Sequence, residues 1–300
     1  MRVLAAYLGV ILIWSTTPLA IKWSGEGPGY LFGVTARMSL GLAIVLVMLL
    51  LTRTSLRRDT SARQTYMAGA LQIYGSMLAT YWASQHIPSG WISVVFGLTP
   101  LLTAPMAAIW LGEPSLTPAR MMSYVLGVTG LALMFQTALT FSPSAVFGIA
   151  GVLLAALLQA VSSVWVKRAA AQLSGLALLA GSLLLAVPAY WLTWVLLDGH
   201  WPGPLPRASL WSIAYLGGIA TPLGFTWYFF VLRHLPTGRV ALITLITPVI
   251  SLYVGHALNR EVIHPSVLGG TALIITALLL YEAGGLRRGR LSSSRPQPEP

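Results

Sequence analysis

Three polar side chains that could bind a small molecule stand inside long apolar stretches of this sequence: Arg37, Gln72 and Gln159. A guanidinium can hold a carboxylate through two parallel hydrogen bonds, and an amide both donates and accepts. The sequence carries no HExxH, Walker-type or GxSxG motif. We therefore expect a binding site without catalysis, cofactor or metal, and next ask which elements position these side chains.

Composition indicates that the surroundings of these residues are lipid. Of the 300 residues, 56% are hydrophobic and 8% are charged, and the mean hydropathy is +0.76. Soluble domains carry about 25% charged residues, so this chain has too few to cover a water-facing surface. The net charge of +11 lies in short connections and the C-terminal tail, not on one amphipathic face. That distribution argues against nucleic acid as a partner and leaves the lipid bilayer.

A spanning helix needs about 20 mostly apolar residues. The sequence predicts an all-α membrane protein with ten such spans: 3–22, 29–52, 66–86, 89–112, 118–138, 146–166, 173–197, 208–232, 237–258 and 265–284. With ten spans, both termini share one side, which collects 14 Lys and Arg residues against three on the other. Such a bias marks the cytoplasmic side, so we expect both termini in the cytoplasm and a multi-pass protein of the bacterial inner membrane.

The chain also repeats itself. His86, Pro88, Gly90, Thr99, Pro100 and Glu113 recur 148 residues later as His234, Pro236, Gly238, Thr247, Pro248 and Glu261. Each half then holds five spans, and because five is odd the second half must enter the membrane from the opposite side. We predict two inverted five-helix repeats, 1–140 and 141–284, and a disordered basic cytoplasmic tail, 285–300. Many carriers build one site between two such halves.

These motifs resemble those of the drug/metabolite transporter superfamily, in its ten-helix EamA-type branch. The resemblance covers residues 3–284 and rests on Trp14-Ser15, Ala20-Ile21-Lys22, Ala36-Arg37, Thr99-Pro100, Leu111-Gly112-Glu113 and, in the second copy, Trp227-Tyr228-Phe229-Phe230, Pro236, Thr247-Pro248 and Glu261. It implies a secondary carrier, and many family members export amino acids and other metabolites. The second half departs from the first, with Gln159 in the place of Trp14 and Ser182 roughly in the place of Arg37.

Polar and aromatic residues at membrane depth are the candidates for a central binding chamber. Burying Gln or His in lipid costs several kcal/mol, so these side chains should face inward. Mid-span Trp and Tyr residues either pack against neighbouring helices or line a cavity. The substrate-binding candidates are Trp14, Arg37, Gln72, Tyr74, Gln159, Ser162, Trp227, Tyr228, Tyr253 and His256.

Prolines and charges at equivalent places in the two halves are the candidates for hinges and gates. A proline inside a span removes a donor and frees a carbonyl about one turn earlier; Glu113 and Glu261 end spans on opposite faces and could pair with nearby basic residues, or simply cap helix ends. The gating and hinge candidates are Lys22, Thr99, Pro100, Glu113, Thr247, Pro248 and Glu261.

All seven acidic residues fall at span ends, in loops or in the tail. Either protons are coupled through His256 and Glu261, or transport is facilitative or an exchange. The leading interpretation is an exporter of a small amino acid or amino-acid-derived metabolite. The alternatives are export of a larger product such as an opine-type metallophore, uptake of a vitamin or other metabolite, and a membrane scaffold that transports nothing.

Overall fold

The computed structural model describes residues 2–112, 118–169, 171–234 and 237–293, and every regular element within these ranges is helical. Two π-helical segments, π1 (Leu71–Ser76) and π2 (Leu216–Gly224), each join two α-helices into one continuous stretch. The α-helices are α1 (Arg2–Gly25), α2 (Tyr30–Thr52), α3 (Thr60–Ala70), α4 (Met77–Ala83), α5 (Ser89–Phe96), α6 (Thr99–Leu111), α7 (Pro118–Phe141), α8 (Pro143–Ala169), α9 (Gly175–Leu197), α10 (Arg207–Tyr215), α11 (Phe225–His234), α12 (Thr237–Asn259) and α13 (Pro265–Ser293).

Six helical stretches within the described residues are long and apolar enough to cross a membrane. They are Val3–Gly25, Tyr30–Thr52, Ser89–Leu111, Pro118–Phe141, Pro143–Ala169 and Gly175–Leu197, and a shorter apolar helix runs over Pro265–Tyr281. The expectation of an all-helical membrane protein is confirmed. The count of ten spans and the side of the membrane on which the termini lie remain predictions.

Helices of each half of the chain pack against helices of the other half. From the first half, α1 packs against α10, π2, α11 and α12; from the second, α8 packs against α3, π1, α4, α5 and α6. Likewise α2 contacts π2, whereas α9 contacts α3 and π1. The two largest hydrophobic clusters of the described residues combine residues from the two halves, for example Met38 with Leu183 and Trp91 with Ile274. The halves therefore interlock, and neither buries its apolar surface alone.

The π-helical segments occupy matching positions in the two copies. Leu71–Ser76 coincides, 148 residues later, with 219–224, which lies within π2. In π2, Pro222 lacks an N–H and its ring crowds the carbonyl one turn earlier, which favours the wider helix. In π1, the carbonyl oxygens of Ile73 and Tyr74 accept hydrogen bonds from outside the helix. Their donor is the hydroxyl of Tyr190 on α9, at 2.6 Å and 3.1 Å. Such local widening of a helix is frequent at functional sites.

The repeated Thr-Pro motif has different local structure in its two copies. In the first copy the helix is interrupted at Gly97 and Leu98, and α6 restarts at Thr99-Pro100. There Thr99 Oγ1 donates to the carbonyl oxygen of Phe96 at 2.7 Å. In the second copy α12 continues through Pro248 without a break. Leu245 stands where the first copy has Gly97, and leucine favours helix by about 1 kcal/mol over glycine.

A capping residue fixes the start of α3 outside the apolar stretches. Asp59 accepts hydrogen bonds from the backbone N–H of Ala62 at 3.4 Å and from Arg57 Nε at 2.9 Å. Desolvation raises the pKa of Asp59, but the hydrogen bonds from Arg57 and Ala62 outweigh it and hold that pKa below its usual value. An ionised N-cap of this kind stabilises the first turn of a helix.

Candidate functional site

A cavity of about 110 Å³ lies between the two halves of the chain, and we call it the central cavity. Its walls come from α1, α2, π1, α4 and α5 of the first half and from α8, π2, α11 and α12 of the second. At about 10–15 Å³ per water, this volume holds roughly eight water molecules, or a ligand with a similar number of non-hydrogen atoms. The residues with polar groups on its walls are Trp14, Thr17, Arg37, Gln72, Thr80, Ser93, Gln159 and Thr247.

Arg37 is the charged residue among the described residues of this wall. Its side chain is only 2% exposed, yet none of the acidic side chains within the described residues lies within 4 Å of it. Arg37 Nε donates to Thr221 Oγ1 at 3.1 Å, and Nη1 lies 3.5 Å from the Tyr81 hydroxyl. Close packing of α2 on π2 sets this position, because Gly217 allows the Arg37 carbonyl to approach: a Cβ on Gly217 would lie 2.8 Å from that oxygen.

Two amides face the cavity from opposite halves. Gln72 is placed by π1 and Gln159 by α8, and both line the cavity. Neither side-chain amide makes a hydrogen bond to another residue in the described parts of the chain. Each therefore keeps one acceptor and two donors for a ligand or for water.

Aromatic residues form one end of the wall. The rings of Trp14 and Tyr228 lie 4.7 Å apart between centroids, tilted by 34°. Trp14 lines the cavity, whereas Tyr228 lies behind it. The Trp227 ring packs against Gly9 of α1, where a side chain larger than hydrogen would clash with the ring. Of this predicted group, Trp14 borders the cavity and the other two rings support it.

The other predicted binding residues lie away from the cavity. The Tyr74 hydroxyl pairs with Thr193 Oγ1 at 2.6 Å, and Ser162 donates to the carbonyl oxygen of Ala68 at 2.6 Å. Tyr253 is 69% exposed on the outer surface of α12. His256 is also exposed, and its Nδ1 donates to the backbone carbonyl of Glu261 at 2.9 Å. The structure thus groups Trp14, Arg37, Gln72 and Gln159 and leaves these four elsewhere.

Glu261 joins the helices at the end of the bundle where α1 finishes and α5 begins. Its carboxylate accepts hydrogen bonds from the Ser89 N–H at 3.0 Å, the Ser89 hydroxyl at 3.0 Å and the Gly90 N–H at 3.4 Å. It also accepts from Asn259 at 3.0 Å and lies 3.9 Å from Lys22 Nζ. The side chain is only 9% exposed. We call Glu261 and these four partners the Glu261 latch, which joins α1, α5 and the end of α12.

Two further contacts lie at this end of the bundle. Lys22 Nζ donates to the carbonyl oxygen of Ile87 at 3.1 Å, and Trp23 Nε1 donates to Asn259 Oδ1 at 3.0 Å. Deeper in the bundle, Ser93 Oγ donates to Ser251 Oγ, which donates to the Ser15 carbonyl oxygen, both at 2.8 Å. Of the other predicted hinge residues, Thr247 lines the cavity and Pro248 follows Thr247 in α12. Glu113 falls outside the described residues.

Five polar residues of the site were not predicted from the sequence: Thr17, Thr80, Tyr81, Ser93 and Thr221. Small hydroxyl residues in spans usually bond to their own helix, so their type alone is uninformative. Thr221 could have been suspected because it precedes Pro222 in the copy that matches π1.

A protein-family comparison matches this chain twice, over residues 1–136 and 146–282, and the matched family is described as the EamA-like transporter family. The chain belongs to that family. It is therefore a transporter of the drug/metabolite transporter superfamily, as the resemblance of the sequence motifs indicated. The two matched stretches together span both halves of the chain and all the helices that line the cavity.

Individual relatives agree in length as well as in sequence. The chain is 27% identical over 301 residues to a "Probable terminal-alkyne amino-acid exporter" of Streptantibioticus cattleyicolor, covering 94% of this chain and 97% of that one. It is 25% identical over 284 residues to an "Uncharacterized transporter YvbV" of Bacillus subtilis, covering 90% and 88%. A solved crystal structure superposes with a TM-score of 0.64 at 22% identity, covering 92% of this chain and 96% of the other, which shows a shared fold.

Proposed function

We propose that this EamA-family transporter is a secondary carrier that exports an amino acid or a small amino-acid-derived compound across the bacterial inner membrane. The observation that carries the proposal is the central cavity, which lies between the halves and presents unpaired polar groups from both of them. Its volume suits a ligand of amino-acid size better than a bulky metallophore. A relative over nearly the full length is named as an amino-acid exporter, which supports the same substrate class.

The proposed transport cycle is alternating access. The Glu261 latch closes one end of the bundle, so substrate reaches the cavity from the other end in this conformation. Opening the latch while closing the opposite end exposes the same cavity to the other side of the membrane. Protons coupled through His256 and Glu261, facilitative transport and exchange are all compatible with this cycle. A scaffold without transport would have no need of a polar cavity between its halves.

Transport itself is tested with purified protein in liposomes and a panel of radiolabelled amino acids. Replacing both Gln72 and Gln159 with leucine removes two amides from the cavity wall while keeping similar volume. We expect flux to fall about tenfold, because each lost hydrogen bond to substrate is worth about 0.5–1.5 kcal/mol. The matched control is Gln136→Leu, at an exposed position on α7, which should transport as the wild type does. Failure of the wild-type protein to move any member of the panel would rule out the proposed substrate class.

The ten-span topology predicts opposite locations for two exposed loop positions. The native chain contains no cysteine, so single engineered thiols can be labelled without background. Ser55→Cys, between α2 and α3, should react with a membrane-impermeant thiol reagent only from the cytoplasmic side. Gly203→Cys, between α9 and α10, should react only from the outside of intact spheroplasts. Labelling of both positions from one side would contradict the ten-span arrangement.

A further inference from the structure

We propose that Arg37 is a carboxylate anchor: the substrate carries one carboxylate, and that group binds the free edge of the Arg37 guanidinium inside the central cavity. This inference rests on the proposed transport function and deepens it by naming the chemical group that is recognised. It depends on three features of the structure, namely the unused donors of Arg37, the fixed direction of its guanidinium and the absence of a second charge on the described cavity wall.

A guanidinium has five N–H donors. Within the described residues Nε donates to Thr221 at 3.1 Å, Nη1 reaches the Tyr81 hydroxyl at 3.5 Å, and Nη2 has no hydrogen-bond partner. A buried cation whose donors lack partners is unfavourable in a site of low dielectric. Because Arg37 is 2% exposed and borders the cavity, a ligand with acceptor oxygens is the group that would complete its coordination.

The guanidinium is also held in one direction. Thr221 Oγ1 accepts the hydrogen bond from Nε. The edge of the guanidinium that can bind a ligand is therefore the one formed by the terminal nitrogens, Nη1 and Nη2. The Tyr81 ring lies beside the cation, with its centroid 5.9 Å from Cζ, and limits its rotation. Two parallel N–H donors on a fixed plane match the two oxygens of a carboxylate, which is the geometry in which Arg binds that group most strongly.

Charge on the wall selects a monoanionic group. Arg37 is the one residue with a permanent charge that borders the cavity in the described parts of the chain, since Lys22 lies at the latch with Glu261. One carboxylate neutralises one guanidinium, whereas a phosphate dianion would leave excess negative charge among uncharged amides. An amine without a carboxylate would meet an uncompensated positive charge. The ammonium group of an amino acid would face the amide oxygens of Gln72 and Gln159 and the Trp14 ring.

The two halves of the chain differ at the position of Arg37, and this difference sets the direction in which a substrate would bind. Ser182 lies as far from the start of α9 as Arg37 lies from the start of α2, and its hydroxyl donates to the carbonyl oxygen of Tyr66 at 3.1 Å. It therefore offers no charge to a ligand. Among the described residues that line the cavity, Arg37 is the one cationic side chain, so the substrate would bind with its carboxylate toward α2 and π2.

Ligand-dependent thermal stabilisation of the purified full-length protein in detergent tests the inference without requiring transport. The probes are L-norvaline, L-leucine and L-phenylalanine, each compared with its primary amide and with the amine that lacks the carboxylate. We expect at least one acid to stabilise the wild type and its amide and amine to bind at least tenfold more weakly. In Arg37→Gln the affinity for that acid should fall at least tenfold, and Arg37→Lys should recover part of it.

Arg207→Gln is the matched control, because Arg207 is exposed at the start of α10 and outside the cavity; it should bind as the wild type does. If Arg37→Gln does not fold, the acid, amide and amine series on the wild type and on Arg37→Lys decides the question. Equal binding of acids and amides, or no binding of any acid, overturns the carboxylate anchor. Flux of the amides in liposomes as fast as that of the acids would overturn it while leaving transport intact. Arg37-dependent binding without any flux would instead overturn the transport function.

Discussion

In Glu261→Ala, the closed end of the bundle is expected to open, and transport is expected to fall about tenfold. The substitution leaves the N–H groups of Ser89 and Gly90 without their acceptor and removes the ion-pair partner of Lys22. Loss of a largely buried carboxylate with several charge-assisted hydrogen bonds costs on the order of 3 kcal/mol. Since about 1.4 kcal/mol corresponds to a tenfold change in an equilibrium constant, the constant that favours the latched over the open conformation would fall roughly a hundredfold.

Two measurements check this expectation, the melting temperature of the ligand-free protein in detergent and the flux of substrate in liposomes. Glu261→Gln keeps one acceptor oxygen and should be intermediate in both. Glu26→Ala provides a matched control, because Glu26 is an exposed acid in the turn between α1 and α2. If Glu261→Ala matched the Glu26→Ala control in both measurements, the latch would have no role in the cycle.

Gly217→Ala is expected to damage both stability and transport, because the new methyl group would meet backbone atoms. Its Cβ would lie 2.8 Å from the Arg37 carbonyl oxygen and 2.9 Å from Leu40 Cβ, so α2 would have to move away from π2. Overpacking of this kind costs about 1–3 kcal/mol. Because the same displacement moves Arg37 relative to Thr221, we expect weaker carboxylate binding in addition to a lower melting temperature.

The neighbouring residue is a close control for this substitution. A Cβ on Gly218 would meet only the tip of the Ile44 side chain, at 3.9 Å, which is an ordinary contact. Gly218→Ala should therefore leave the melting temperature and binding unchanged or slightly improved, since alanine favours helix over glycine. Thermal unfolding and the binding of L-leucine measure both variants. Equal effects of the two substitutions would show that the approach of α2 to π2 does not position Arg37.

The sequence predicted an all-helical membrane protein, and part of the predicted binding group lines the cavity, whereas the ten spans and the two five-helix repeats stay predictions. Arg37, Gln72 and Gln159 were identified because polar groups inside apolar stretches must face away from lipid, and all three lie on the wall of the cavity. The family assignment was also accessible, because two copies of the same motifs occur in register. These inferences depend on residue type and spacing, which the sequence states directly.

The sequence could not predict which face of each helix points toward the cavity. Tyr253 and His256 belong to the same apolar helix as the cavity residue Thr247, but α12 leaves both of them exposed. A helix that is apolar on every side carries no periodic signal to show which face points inward. The π segments add to the difficulty, because one wider turn changes the direction of every residue that follows it. For the same reason Thr221 and Tyr81 were missed as the residues that hold Arg37.

The repeat also concealed a real asymmetry. Equal spacing of Thr99-Pro100 and Thr247-Pro248 predicts matching breaks, but the structure breaks only the first of these two copies, at Gly97. The residue that differs is Gly97 in the first copy and Leu245 in the second, and this position is not one of those that recur. Similarly, Arg37 and Ser182 occupy related places and make different hydrogen bonds. A shared motif therefore fixes the helix arrangement more reliably than it fixes the chemistry of the site.

The most direct test of alternating access is the reactivity of a single thiol in the cavity wall. Ser93→Cys places a group of similar size where Ser93 borders the cavity, in a chain that otherwise lacks cysteine. In liposomes of defined orientation, a membrane-impermeant methanethiosulfonate should modify this thiol from either side, and Glu261→Ala should speed the reaction only from the latch end. Modification that occurs from one side alone, with or without Glu261→Ala, would contradict a cavity shared between the two faces of the membrane.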